Sequence, residues 1–115
     1  MKSTDEGKSW IELGRKGTPA EFHPRCFVID PDNPDTMFMG TIYDGIYRSD
    51  DGGFSWQAIN RGVPIHLRRI IFHSMGIINS KNPVLIAGSD MDGKIFRTFY
   101  KWTWWDKFIN TIYYL

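Results

Sequence analysis

Apolar residues fall into short runs along this chain, separated by clusters of Gly, Pro, Asp and Asn. "RCFVID" (Arg25 to Asp30) is bounded by the turn cluster "PDNPD". "TMFMGTI" follows from Thr36, then the turn "YDG", then "IYRS" and "SWQAIN". The same succession returns as "LRRIIFH", a longer loop, "PVLIAGS", "KIFRT" and "WWDKFI". Runs this short, rich in β-branched and aromatic residues and bounded by turn residues, predict antiparallel strands rather than helices. The pattern predicts an all-β chain built from units of four short strands.

The units repeat. "KSTDEGKSW" (Lys2 to Trp10) and "RSDDGGFSW" (Arg48 to Trp56) both read Ser-x-Asp-x-Gly-x-x-Trp, beginning at Ser3 and at Ser49, 46 residues on. A further 49 residues lead to Thr98, Tyr100, Trp102 and Trp105, a degenerate third copy that keeps the hydroxyl and the last Trp. Other columns recur in the same order. "DGIYRS" at Asp44 matches "DGKIFRT" at Asp92, "NPDTMFMGT" at Asn33 matches "NPVLIAGS" at Asn82, and "KGTP" at Lys16 matches "RGVP" at Arg61. Four strands recurring every forty-odd residues predict the blades of a β-propeller.

The motif falls between the third and fourth strands of a unit, where a hairpin must turn. Asp51 can fold its carboxylate back onto backbone N–H groups, Ser49 can bond across the turn, and Gly53 can take positive φ. Trp56 can tuck its ring beneath the hairpin, its indole N–H left for a polar partner. Ser3, Asp5, Gly7 and Trp10 are expected to do the same in the first copy. In the third, Tyr100 cannot fold back as Asp does and Trp102 is ill suited to positive φ, so that turn must open or change type.

This pattern resembles the Asp-box, or BNR repeat, found in sialidases, xyloglucan-degrading glycosidases, sortilin-type receptors and many secreted propellers. "DPDNPDTMFMGTIYDGIYRSDDGGFSW" looks like the blade consensus of that class, and the resemblance covers nearly the whole chain. It implies a propeller with the boxes on its outer rim, in a structural role, and an extracellular or periplasmic setting. Residues 1–18 would be the last strand of one blade, 19–62 a full blade, and 63–115 a full blade with the degenerate box. That is about two and a quarter blades, whereas propellers close with roughly four to eight. The expectation is a piece of a longer protein, or a protomer that closes a ring by self-association. Its partners are then the remaining blades of a parent or copies of itself, with carbohydrate or protein as ligand.

Composition narrows the chemistry. With 14 Lys and Arg against 13 Asp and Glu, nothing marks a nucleic-acid or anionic-membrane surface. No apolar run approaches the roughly 18 residues of a membrane span, and "MKSTDEGKSW" is not a signal peptide. The lone Cys26 lies in a strand-like run, where an inert thiol is expected. "DPDNPD" offers Asp30, Asp32 and Asp35, but a calcium loop of EF type would need other residues where Pro34, Asp35 and Thr41 stand. His23, His66 and His73 are scattered, so neither metal nor cofactor is expected. A basic cluster of Arg61, His66, Arg68 and Arg69 is read as a solvated loop face rather than a carboxylate site. No catalytic residue is assigned. The leading expectation is a non-catalytic scaffold or binding module, and the alternative is a fragment of a sialidase-like or xyloglucanase-like glycoside hydrolase.

Overall fold

The computed structural model describes residues 1–21, 23–60, 70–78, 83–90, 94–100 and 113–114. They form eight β-strands in two antiparallel four-stranded sheets, without a helix. The first sheet runs in sequence order through β1 (His23–Ile29), β2 (Met37–Ile42), β3 (Ile46–Ser49) and β4 (Gln57–Ala58). The second does the same through β5 (Phe72–Ile78), β6 (Val84–Ser89), β7 (Ile95–Phe99) and β8 (Tyr113–Tyr114).

Side chains alternate across a strand, so each sheet has two faces. In the first sheet Phe38 pairs with Arg48, Gly40 with Ile46, Cys26 with Gly40 and Val28 with Phe38, which sets these residues on one face. Phe27, Ile29, Met37, Met39 and Tyr47 lie on the other. In the second sheet Met75, Ile77, Leu85, Ala87, Phe96 and Thr98 share one face by the same register.

These sheets stack. Phe38, Ile46 and Ile59 of the first are buried in one cluster with Ile70, Phe72, Leu85, Ala87, Phe96 and Tyr100. Cys26, Val28, Met75 and Ile77 pack against its margin. Phe38 meets the Tyr100 ring edge-on at 4.8 Å between centroids. Gly40 permits the approach: a Cβ there would lie 2.6 Å from Cys26 Sγ and 2.9 Å from Phe72 Cβ. Polar groups also cross. Tyr100 donates its hydroxyl to Asp30 Oδ2 at 3.0 Å, with both residues buried. Arg48 donates to the Tyr100 carbonyl at 2.9 Å and lies over the Phe38 and Tyr100 rings.

Two strands differ from the sequence pattern. The first strand of the second sheet is Phe72–Ile78, not the "LRRIIFH" run, and it occupies much of the segment read as a loop. A register shift between Phe72 and Ser74 inserts one residue, so Phe72, Met75 and Ile77 reach the same face without an unbroken period of two. Ile70 and Ile71 instead tie back to the first sheet, where Tyr43 N–H donates to the Ile70 carbonyl and Ile42 bridges Ile71. The "WWDKFI" run lies outside the described residues, and the fourth place beside β7 is taken by Tyr113–Tyr114.

Residues 1–18 form an arm rather than a full strand. Lys2 and Ile11 bridge one another, and Lys16 bridges Ser55 in parallel. Leu13 packs against a second buried cluster of Met37, Met39, Tyr47 and Trp56, on the face of the first sheet turned away from the second.

Candidate functional site

The two Ser-x-Asp-x-Gly turns are each closed by a network of side-chain hydrogen bonds. Asp51 Oδ1 accepts backbone N–H bonds from Phe54 at 3.1 Å and Ser55 at 2.9 Å, and the Ser49 hydroxyl at 2.8 Å. Its Oδ2 accepts the Ser55 hydroxyl. Ser49 Oγ in turn accepts the Gly53 N–H at 2.9 Å. Gly53 has φ 95°, a left-handed conformation that costs glycine little. A Cβ on Gly53 would also lie 2.7 Å from Leu13 Cδ2, so the arm needs this glycine as much as the turn does.

The first turn repeats the network. Asp5 accepts from Ser9 N–H at 2.8 Å, the Ser9 hydroxyl at 2.5 Å and the Ser3 hydroxyl at 2.8 Å. Ser3 Oγ accepts the Gly7 N–H at 2.8 Å, and Gly7 has φ 86°. Ser9 and Ser55 were not singled out from the sequence, although each contributes two donors to its aspartate. The signal was present, since serine directly precedes the tryptophan in both copies.

Hydrogen bonds of this kind fix the charge state. The Ser9 hydroxyl, then the Ser9 amide and the Ser3 hydroxyl, hold the Asp5 carboxyl down to about 2. The Ser55 hydroxyl and amide, with Ser49, hold Asp51 well below the usual carboxylate range. Both are ionised at neutral pH and committed to turn closure, which leaves neither with a proton to donate. Because the folded value is depressed, the stabilisation each gives is complete above about pH 4 and disappears as pH falls through its folded value. Carboxyl-carbon NMR titration is therefore expected to show Asp5 near pH 2 and Asp51 well below the usual carboxylate range. Titration of either at the ordinary value of 3.8 would contradict the network.

The two tryptophans diverge. Trp56 is 6% exposed, and its indole N–H donates to the Gly14 carbonyl at 3.0 Å. Trp56 N–H donates to the Lys16 carbonyl at 2.7 Å, and Gly14 N–H to the Gly53 carbonyl at 2.9 Å. Phe27 meets the Trp56 ring edge-on at 6.0 Å. Trp10, in contrast, is 57% exposed. Trp56 lies on a sheet face that the arm covers, whereas Trp10 stands at the edge of an open apolar pocket that it shares with Phe27, Ile29 and Met37.

The third copy differs in kind. Thr98 and Tyr100 are buried, and Tyr100 reaches Asp30 of the other sheet instead of folding back over its own turn. Burial, then the Asp30 hydrogen bond, pushes its phenol above the ordinary value. Trp102 and Trp105 lie outside the described residues, as do Arg61, His66, Arg68 and Arg69. His23 and His73 are exposed strand residues. Cys26 is half-buried against the Phe72 carbonyl, and burial pushes its thiol up. Asp30 is taken up by Asp32 N–H and Tyr100, and among the described residues no group of three metal-ligating side chains forms.

The fold defines a class: an all-β protein of two stacked antiparallel sheets with a repeated serine–aspartate turn. Compared with models of protein families, with curated proteins and with solved structures, the chain matches none.

Proposed function

We propose that this chain is a non-catalytic part of an Asp-box β-propeller, serving as a scaffold or as a carbohydrate- or protein-binding module. One observation carries the reading. The same turn closes twice with its aspartate held by several hydrogen bonds, and the second closure joins the third and fourth strands of a four-stranded sheet stacked face to face on the next. Stacked four-stranded antiparallel units are what a propeller requires. Carboxylates bound up in this way hold a backbone in shape rather than carry a proton to a glycosidic oxygen.

The test is turnover. The purified chain, incubated with a fluorogenic sialoside and with a xyloglucan oligosaccharide, is expected to release no product above a heat-denatured control. Release abolished by Arg68→Ala with Arg69→Ala would overturn the non-catalytic reading in favour of a sialidase-like one.

A further inference from the structure

Strand register makes the two sheets equivalent residue by residue. Gly40 of β2 corresponds to Gly88 of β6, Met39 to Ala87 and Met37 to Leu85. Phe27 and Ile29, which pair with Met39 and Met37, correspond to Met75 and Ile77, which pair with Ala87 and Leu85. Tyr47 corresponds to Phe96 and Ile46 to Ile95.

The inner interface joins unlike faces. The Phe38–Ile46 face of the first sheet covers the Met75–Ile77–Leu85–Ala87–Phe96 face of the second. The two outer faces are the equivalents of these halves. The first sheet presents Phe27 and Ile29, 47% and 50% exposed, at the equivalents of the packed Met75 and Ile77. The second sheet presents Ile95, 43% exposed, at the equivalent of the fully buried Ile46. Gly88 lies at the equivalent of Gly40, through which the inner sheets make their close approach. Around it runs a shallow groove of about 330 Å³ lined by Ser74, Gly76, Ile78, Ile86 and Gly88, and nothing lies within 4 Å of where a Gly76 Cβ would point.

We infer that the outer face of the first sheet, centred on Phe27 and Ile29, docks the outer face of the second sheet, centred on Ile95 and Gly88, of another copy of this chain. The argument for a second copy as occupant is that the molecule already contains this pairing once, in its own core. The contact is head to tail, so a pair of copies still presents one free face of each kind for further copies. The arm fits the same scheme. Leu13 packs on Met37 and Met39 as Ile59 packs within the inner core. It therefore already holds the outer strip of the first face, and a partner docks there through β5, β6 and β7. β8 pairs with β7 at Phe96↔Tyr114 and Arg97↔Tyr113, so the incoming arm and β8 compete for one edge, and association exchanges one for the other.

Two substitutions at exposed positions test this without disturbing either core: Ile29→Asp blocks the first face and Ile95→Asp the second. Near-ultraviolet circular dichroism confirms that each variant folds. Light scattering after size exclusion is expected to give the unaltered chain a mass of two to four times 13.4 kDa, since roughly four to eight blades close a ring. Each variant alone is expected to be a monomer. An equimolar mixture is expected to form a one-to-one dimer, because each variant retains the face that the other lacks. A monomeric unaltered chain, a variant that still associates alone, or a mixture that stays monomeric would each overturn the proposal, as would a monomer that takes up only a different protein. The inference rests on the propeller reading for its ring size alone. A monomer without glycosidase turnover would sink the docking and leave the proposed function standing, and an oligomer with turnover would do the reverse.

Discussion

Replacing Trp56 by alanine is expected to lower the unfolding free energy by about 3–5 kcal/mol, while the same change at Trp10 costs less than about 0.5 kcal/mol. The two residues occupy the same place in the same sentence of sequence, so composition and motif give no reason for them to differ. Their surroundings do. The Trp56 ring is buried among Met37, Met39, Tyr47 and Leu13, with its indole N–H bonded to the Gly14 carbonyl. Truncation opens a cavity the size of an indole and leaves that carbonyl without its donor. It also loosens the arm, which the Trp56 backbone and side chain both hold. Trp10 is mostly in water already. Urea unfolding followed by far-ultraviolet circular dichroism measures both through the shift in midpoint. Equal losses at the two sites would show that position in the motif, rather than the sheet beneath it, sets the energy.

Phe38→Ala is expected to cost a similar amount, about 3–5 kcal/mol, by a different route. Phe38 is fully buried between the sheets and carries the edge-on contact with Tyr100. It also lies beneath the Arg48 guanidinium, which holds the Tyr100 carbonyl from the opposite sheet. Its loss leaves both sheets facing a void that neither can fill, because register fixes the backbone on each side. Phe38→Leu, which refills most of the volume, is expected to recover more than half the loss. If alanine cost no more than leucine, the inter-sheet core would not be centred on this ring.

Much of this architecture was legible in the residues. The spacing of "TMFMGTI" and "IYRS" between turn clusters matches β2 and β3 to within a residue, because half-buried strands must alternate and the turns between them need Gly, Asp and Asn. The second sheet was harder. Ser74 and Gly76 interrupt the apolar run of β5, so it reads as a loop, whereas β1, which has the same register shift between Pro24 and Cys26, keeps an apolar run that reads as a strand. Within the turns, the roles of Ser3, Asp5, Ser49 and Asp51 follow from local geometry, but the double donation by Ser9 and Ser55 requires the backbone to bring the hydroxyl and the amide to one carboxylate.

Sequence by itself determined that the chain is all-β and repeated, and that its repeated aspartates close turns. These are local matters, decided by side-chain period and by bonds spanning a few residues. Tertiary structure alone decided which apolar faces are covered. Met37 and Phe38 are neighbours of similar hydrophobicity, and nothing local assigns one to the arm and the other to the second sheet. Trp10 and Trp56 are written alike, and one is exposed and the other buried. Tyr100 looks like a failed turn residue until the second sheet sets it against Asp30, seventy residues away in the chain. Burial depends on what the rest of the chain lays over a face, and that cannot be read from the face.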